Sequence, residues 1–175
     1  MKKVDIIHGG WLKAPNGASS VLRTLAESTS KFEEYGIQLS VYSMDLIVLK
    51  SFENIAAINQ RKGLRYFIKK NANANSILAF ISIYAIYLRH ARKIVKYYFD
   101  QGLEESRILF IHDIFTCYYY LKYRSRRQKT VLVLHNNGDT FNMLRQYYPV
   151  LNKSRLYSIL SVSYTHLRAH ETLAN

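Results

Sequence analysis

The sequence predicts an α/β domain built on a Rossmann-like, doubly wound parallel sheet, and three observations carry that prediction. Short, nearly uninterrupted apolar runs recur as "VDII" at 4–7, "RILFIHD" at 107–113 and "TVLVLHN" at 130–136. Strands covered on both faces read this way. A glycine-rich loop and a helical pattern follow the first run and lead into an alternating segment, which is the order of a βαβ unit with its right-handed crossover. A second helical pattern separates the last two runs, so strand and helix alternate at both ends of the chain. With 175 residues, 49% of them apolar, the chain is long enough for one domain with a real core.

The elements follow in order. The first strand, 4–7, is bounded by Gly9 and Gly10 in the loop "HGGWLKAPNGASS" at 8–20. Val21, Leu22, Leu25 and Ala26 then fall at helical spacing towards Phe32. Ser19 or Ser20 is expected to cap this helix and Gly36 to stop it. "IQLSVYS" at 37–43 alternates Ile37, Leu39 and Val41 and predicts the second strand. The middle, 46–76, mixes apolar residues with Arg61, Lys62, Arg65, Lys69 and Lys70 and ends in the turn-like "NANANS"; one short strand and one short helix are expected there. Residues 77–99 predict a long helix. Its first half is apolar all round, as in a buried helix; in its second half Ala91, Ile94, Val95 and Tyr98 form one stripe and Arg89, Arg92, Lys93 and Lys96 another. "FTCYYYLKYRSRR" predicts the helix between the last two strands, and no internal repeat or low-complexity tract interrupts the pattern.

Composition narrows the class. A single cysteine, Cys117, cannot form an internal disulfide, so a reducing compartment is expected. The start has no signal-peptide pattern, and "ILAFISIYAIYL" at 77–88 falls short of the roughly 20 residues that cross a bilayer. The expected location is the cytoplasm, free or at the inner face of the membrane. The net charge of +13 has three readings: a solvated helix face, contact with an anionic membrane through Arg89, Arg92, Lys93 and Lys96, or nucleic-acid binding. The C-terminal stretch differs from the rest. "VSYTHLRAHET", Val162 to Thr172, matches one reading frame of the transposase-adapter DNA used for sequencing libraries. Residues 161–175 are therefore read as adapter-derived and set aside from the fold, leaving a domain over 1–160 in a protein expected to continue past Leu160.

In open parallel sheets ligands bind beyond the carboxyl ends of the strands. Three features fall there: the loop 9–20, His112 with Asp113, and "HNNGDTFN" at 135–142. Glycines let a backbone approach a ligand closely, and amides at the following helix N-terminus attract an anion such as phosphate. A plain structural turn after a strand reads the same way. "GGWLKAPNG" has neither dinucleotide-fold nor P-loop spacing, no Cys or His cluster has metal spacing, and none of the five aspartates forms an Asp-x-Asp pair.

The order "HGG", "APNGAS", "SVLRTLAE", "LSVYS", "ILFIHD" and "KTVLVLHNNGD" resembles the N-terminal half of two-domain, GT-B-type glycosyltransferases, especially the retaining group that assembles bacterial polysaccharides. The resemblance covers about residues 1–160 and is strongest at 3–43 and 107–140. It implies one lobe of a GT-B enzyme that moves a sugar from a nucleotide-sugar donor to a glycan or lipid-linked acceptor, with no metal or other cofactor. It places Gly9, Gly10, Asn16 and Gly17 near the donor phosphates or the acceptor, and the catalytic position beside the transferred sugar on His135. His112 and Asp113 fall at the acceptor pocket. For His135 a strand-end histidine bonded to backbone, and for His112 and Asp113 a purely structural role, are the alternatives. The family's second domain supplies most nucleotide contacts and stabilises the departing diphosphate, so the resemblance implies no transfer by the 175 residues alone. The alternative function is a non-catalytic basic Rossmann-like domain that binds a nucleotide, a membrane surface or nucleic acid.

Overall fold

Four strands, β1 (Lys2–Ile7), β2 (Ile37–Tyr42), β3 (Ile108–Ile111) and β4 (Thr130–Leu132), pair in parallel in the order β2–β1–β3–β4. The structure is a computed structural model that describes residues 1–45, 64–102, 107–124, 128–135 and 140–159. It divides into two compact units, one of residues 1–60 and 84–138 and one of residues 61–83 and 139–175.

The sheet belongs to the first unit, and its strand order follows from where the apolar side chains go. On one face Ile7, Leu109 and Ile111 pack with Ile94, Val95 and Tyr98 of α5 (Arg89–Asp100) and with Cys117 and Tyr120 of α6 (Ile114–Tyr123). Alternate residues turn to the other face, where Val4, Ile6, Ile37 and Leu39 meet Leu25 of α1 (Gly17–Glu27) and Phe32 of α2 (Thr29–Glu34). The fold is thus an α/β sheet with helices on both faces, and the chain reverses its winding direction between β1 and β3. Gly36, at φ +71, ends the α2 turn as expected, in a backbone conformation that glycine adopts without strain.

A buried polar network sits inside this core. The fully buried Asp5 carboxylate accepts from Nε of Arg107 at 2.7 Å and from the Tyr98 hydroxyl at 2.9 Å. Arg107 also donates to Ser40 Oγ at 3.2 Å, and Gln128 donates to the Arg107 carbonyl at 2.9 Å. The Asp5 contact raises the Arg107 pKa, and burial raises that of Tyr98. A charge so placed is tolerable only because it is paired and hydrogen-bonded.

The second unit is helical. It holds α3 (Leu64–Asn71), α4 (Ser76–Ile83), α7 (Thr140–Tyr147) and a 3₁₀ turn (Pro149–Lys153). Its buried residues include Ala79, Leu144, Leu151 and Tyr157, and the Tyr157 hydroxyl donates to the Phe141 carbonyl at 2.7 Å. Turns at 72–74 fall within the predicted "NANANS" break. The long helix predicted over 77–99 falls on three helical segments: α4 in this unit, and a π-helical turn (Tyr84–Leu88) and α5 in the first.

Four expectations are corrected. Neither Ser19 nor Ser20 caps α1: the cap is Asn16, whose Oδ1 accepts from the Ser19 amide at 2.9 Å, and Ser19 lies buried inside the helix. The apolar half of the long helix is not buried all round, since Ile77, Ile81, Tyr84 and Ile86 are exposed. The last strand stops at Leu132, and the helix after β3 ends at Tyr123. Of the short strand and short helix expected in 46–76, a helix is found as α3, whereas residues 46–63 and the tail 161–175 lie outside the described residues.

Candidate functional site

The carboxyl edge of the sheet is built from the strand ends upward. Past β1 the pairing continues through backbone bonds: the His8 amide donates to the Tyr42 carbonyl at 2.9 Å, and the His112 amide to the Ile7 carbonyl at 3.0 Å. The loop that follows is pinned by two aspartates. The Gly9 amide donates to Asp113 Oδ2 at 2.9 Å, and the Leu12 amide to Asp45 Oδ2 at 2.5 Å. The Ser43 hydroxyl donates to the same Asp45 oxygen at 3.2 Å. Asp113 also caps α6, accepting from the Thr116 amide at 2.8 Å and its hydroxyl at 2.6 Å.

Gly9 is therefore a glycine because of its neighbours. A Cβ there would sit 2.6 Å from Thr116 Oγ1 and 3.2 Å from Asp113 Oδ2. At Gly10 a Cβ would strike the His8 imidazole. At Gly17, the first residue of α1, a Cβ would meet open space, so no close approach explains that glycine. At the start of α1 Asn16 accepts from the Ser19 amide through its side chain and from the Ser20 amide through its carbonyl, and the amides of Gly17 and Ala18 are the ones that lack intrahelical acceptors, as at any helix start.

Three histidines gather where this loop leaves the sheet. Nδ1 of His112 lies 2.6 Å from Nε2 of His135, with the rings stacked 4.9 Å apart. His8 stands close enough to influence both electrostatically, its Nδ1 3.8 Å from Asp113 Oδ2 and without a hydrogen-bond partner. Burial pushes the His112 imidazole down to about 4, reinforced by His135 and His8. Burial also lowers His8, against the opposing pull of Asp113. His8 and His112 are thus neutral imidazoles at pH 7, each able to accept a proton or to donate one hydrogen bond.

Gly9, Gly10, His112, Asp113 and His135, all chosen from sequence, are brought to this one edge, with Asn16 and Gly17 following at the end of the same loop. His8 and Asp45 were missed. The three strand ends read "IIH", "FIH" and "VLH", and that recurrence is a signal for His8; Asp45 reaches the loop from 33 residues away in sequence and leaves none. Residues 136–139 of the "HNNGDTFN" segment lie outside the described residues. Arg89, Arg92, Lys93 and Lys96 stand exposed on α5, opposite its buried stripe. Among the described residues no group of three His, Cys, Asp or Glu side chains is arranged to hold a metal, and no helix is long and apolar enough to cross a membrane.

No family model, curated protein or solved structure matches the chain. The functional reading therefore rests on the geometry of this edge and on the residues that line it.

Proposed function

We propose that the chain is the acceptor-side lobe of a glycosyltransferase of the GT-B kind, which moves a sugar from a nucleotide-sugar donor to a glycan or lipid-linked acceptor. One observation supports this reading best: His112 and His135 touch beside a glycine turn at the point where the sheet reverses its winding, which is where open α/β sheets bind ligands. On this reading His135 stands by the transferred sugar. Its Nε2 is engaged by His112, so its Nδ1 meets a sugar hydroxyl. His112 holds the ring in place and, with Asp113, shapes the acceptor side.

The phosphates fall to the start of α1, where the helix dipole and first-turn amides at Gly17 attract anions. Asn16 contributes by fixing that helix start. The Gly9 amide is committed to Asp113, so Gly9 and Gly10 serve by letting loop, α6 and His8 pack together.

Calorimetric titration of the 175-residue chain with UDP-, GDP- and ADP-sugars tests the reading. Saturable binding with a Kd of about 1 mM or tighter is expected for at least one donor. His135→Ala should weaken that donor while leaving inorganic pyrophosphate unaffected. No binding by any donor, or equal binding by the variant, would overturn the assignment.

A further inference from the structure

The loop at the carboxyl edge is held by two carboxylates, Asp113 and Asp45, and among the described residues neither has a lysine or arginine partner. Asp113 Oδ2 is met by the Gly9 amide, by the Thr116 hydroxyl and, at 3.8 Å, by the His8 ring. Asp45 Oδ2 is met by the Leu12 amide and the Ser43 hydroxyl, while its Oδ1 is buried without a partner. The same unit treats a buried aspartate differently inside the sheet, where Asp5 has the Arg107 guanidinium at 2.7 Å. At the edge, then, negative charge is answered by dipoles and not by a cation. The His8 and His112 imidazoles do not cancel it, since burial keeps both neutral at pH 7. Asp113 acts on both rings and Asp45 on His8, whereas no lysine or arginine acts on either. A quarter of the Asp113 side chain, 25%, stays exposed, so its field reaches the solvent beyond the strand ends.

Such a surface discriminates between ligands by charge. A sugar hydroxyl suits it, because it donates to a carboxylate or an unprotonated imidazole nitrogen and accepts from a ring N–H. A sugar carboxylate only accepts. Brought beside Asp113 it meets a like charge with no cation to pair with, the kind of juxtaposition by which interfaces reject wrong partners. The net charge of +13 pulls the other way, drawing in the more anionic ligand at long range. A preference for an uncharged sugar is therefore a signature of the edge itself.

We propose, on the glycosyltransferase reading of this edge, that Asp113 and Asp45 make it specific for sugars without a negative charge, admitting neutral hexoses and rejecting hexuronates. Calorimetric titration of the 175-residue chain tests this with matched nucleotide sugars that differ only in whether the terminal carbon is an alcohol or a carboxylate. The pairs are UDP-glucose with UDP-glucuronate and GDP-mannose with GDP-mannuronate. In a pair that binds, the neutral member is expected to bind at least about tenfold more tightly than its uronate. Asp113→Asn removes the charge and keeps the shape, and it should narrow that gap by raising the affinity for the uronate. The comparison in the parent chain stands even where this variant fails to fold. A uronate bound as tightly as its neutral partner, or a gap unchanged in folded Asp113→Asn, overturns the inference and leaves the transferase reading in place. Binding by no member of either pair overturns that reading, and the inference with it.

Discussion

At the scale of single residues, the glycines of the first loop differ in what they are for. Gly9→Ala would drive a methyl group into Thr116 and Asp113 and should cost about 1–3 kcal/mol, as overpacking does. Gly17→Ala meets open space at a helical position and should be neutral or stabilise by up to about 1 kcal/mol. Urea denaturation midpoints of the two variants distinguish these outcomes, and equal effects would contradict the packing account. His112 makes a pH prediction. It binds its proton near pH 4 when folded but near 6.5 when unfolded. Between those values the unfolded chain holds more protons, so this contribution to stability is full above about pH 6.5 and lost as pH falls towards 4. His8 is shifted in the same direction. His112→Gln should therefore lose less stability than the parent between pH 7 and pH 4.5, measured by urea unfolding at both; an identical loss in both proteins would count against a buried neutral imidazole.

At the scale of elements, two helices begin at a side-chain cap. Asn16→Ala should cost about 1 kcal/mol, the ordinary value of an N-cap. Asp113→Ala should cost more, because the same carboxylate holds the Thr116 amide and hydroxyl and the Gly9 amide. Chemical unfolding ranks the two, and the reverse order would show that Asp113 is not the tether of the loop. The strands were legible because parallel strands covered on both faces are apolar without alternation, as in "RILFI". The burial of Ala91, Ile94, Val95 and Tyr98 was legible because charges mark the opposite side of α5. The preceding helix was not, since Ile77 and Ile81 are as apolar as the buried Ala79 and Ile83 and leave no phase to read. Asn16 and Ser19 are both good caps, and only the backbone decides between them. At the site, strand-end residues were legible from position, whereas the pinning of the loop by Asp45 depends on tertiary folding.

At the scale of the whole molecule, the sheet is tied through one buried charge pair. Arg107 joins β1 and β2 through Asp5 and Ser40, and Tyr98 and Gln128 complete the network. Arg107→Met leaves Asp5 buried without its cation and should cost about 3–5 kcal/mol, whereas replacing both partners by apolar residues should recover much of that loss. Thermal unfolding of the single and double variants checks this, and a double variant as unstable as Arg107→Met would refute it. The functional account turns on whether the carboxyl edge of this sheet receives a sugar nucleotide. The most direct measurement is an amide and histidine-ring NMR titration of the 175-residue chain with a nucleotide sugar. The account predicts saturable shifts at residues 8–18, at 112–116 and at the imidazoles of His8, His112 and His135. Shifts confined to other residues, or none at saturating donor, would contradict it.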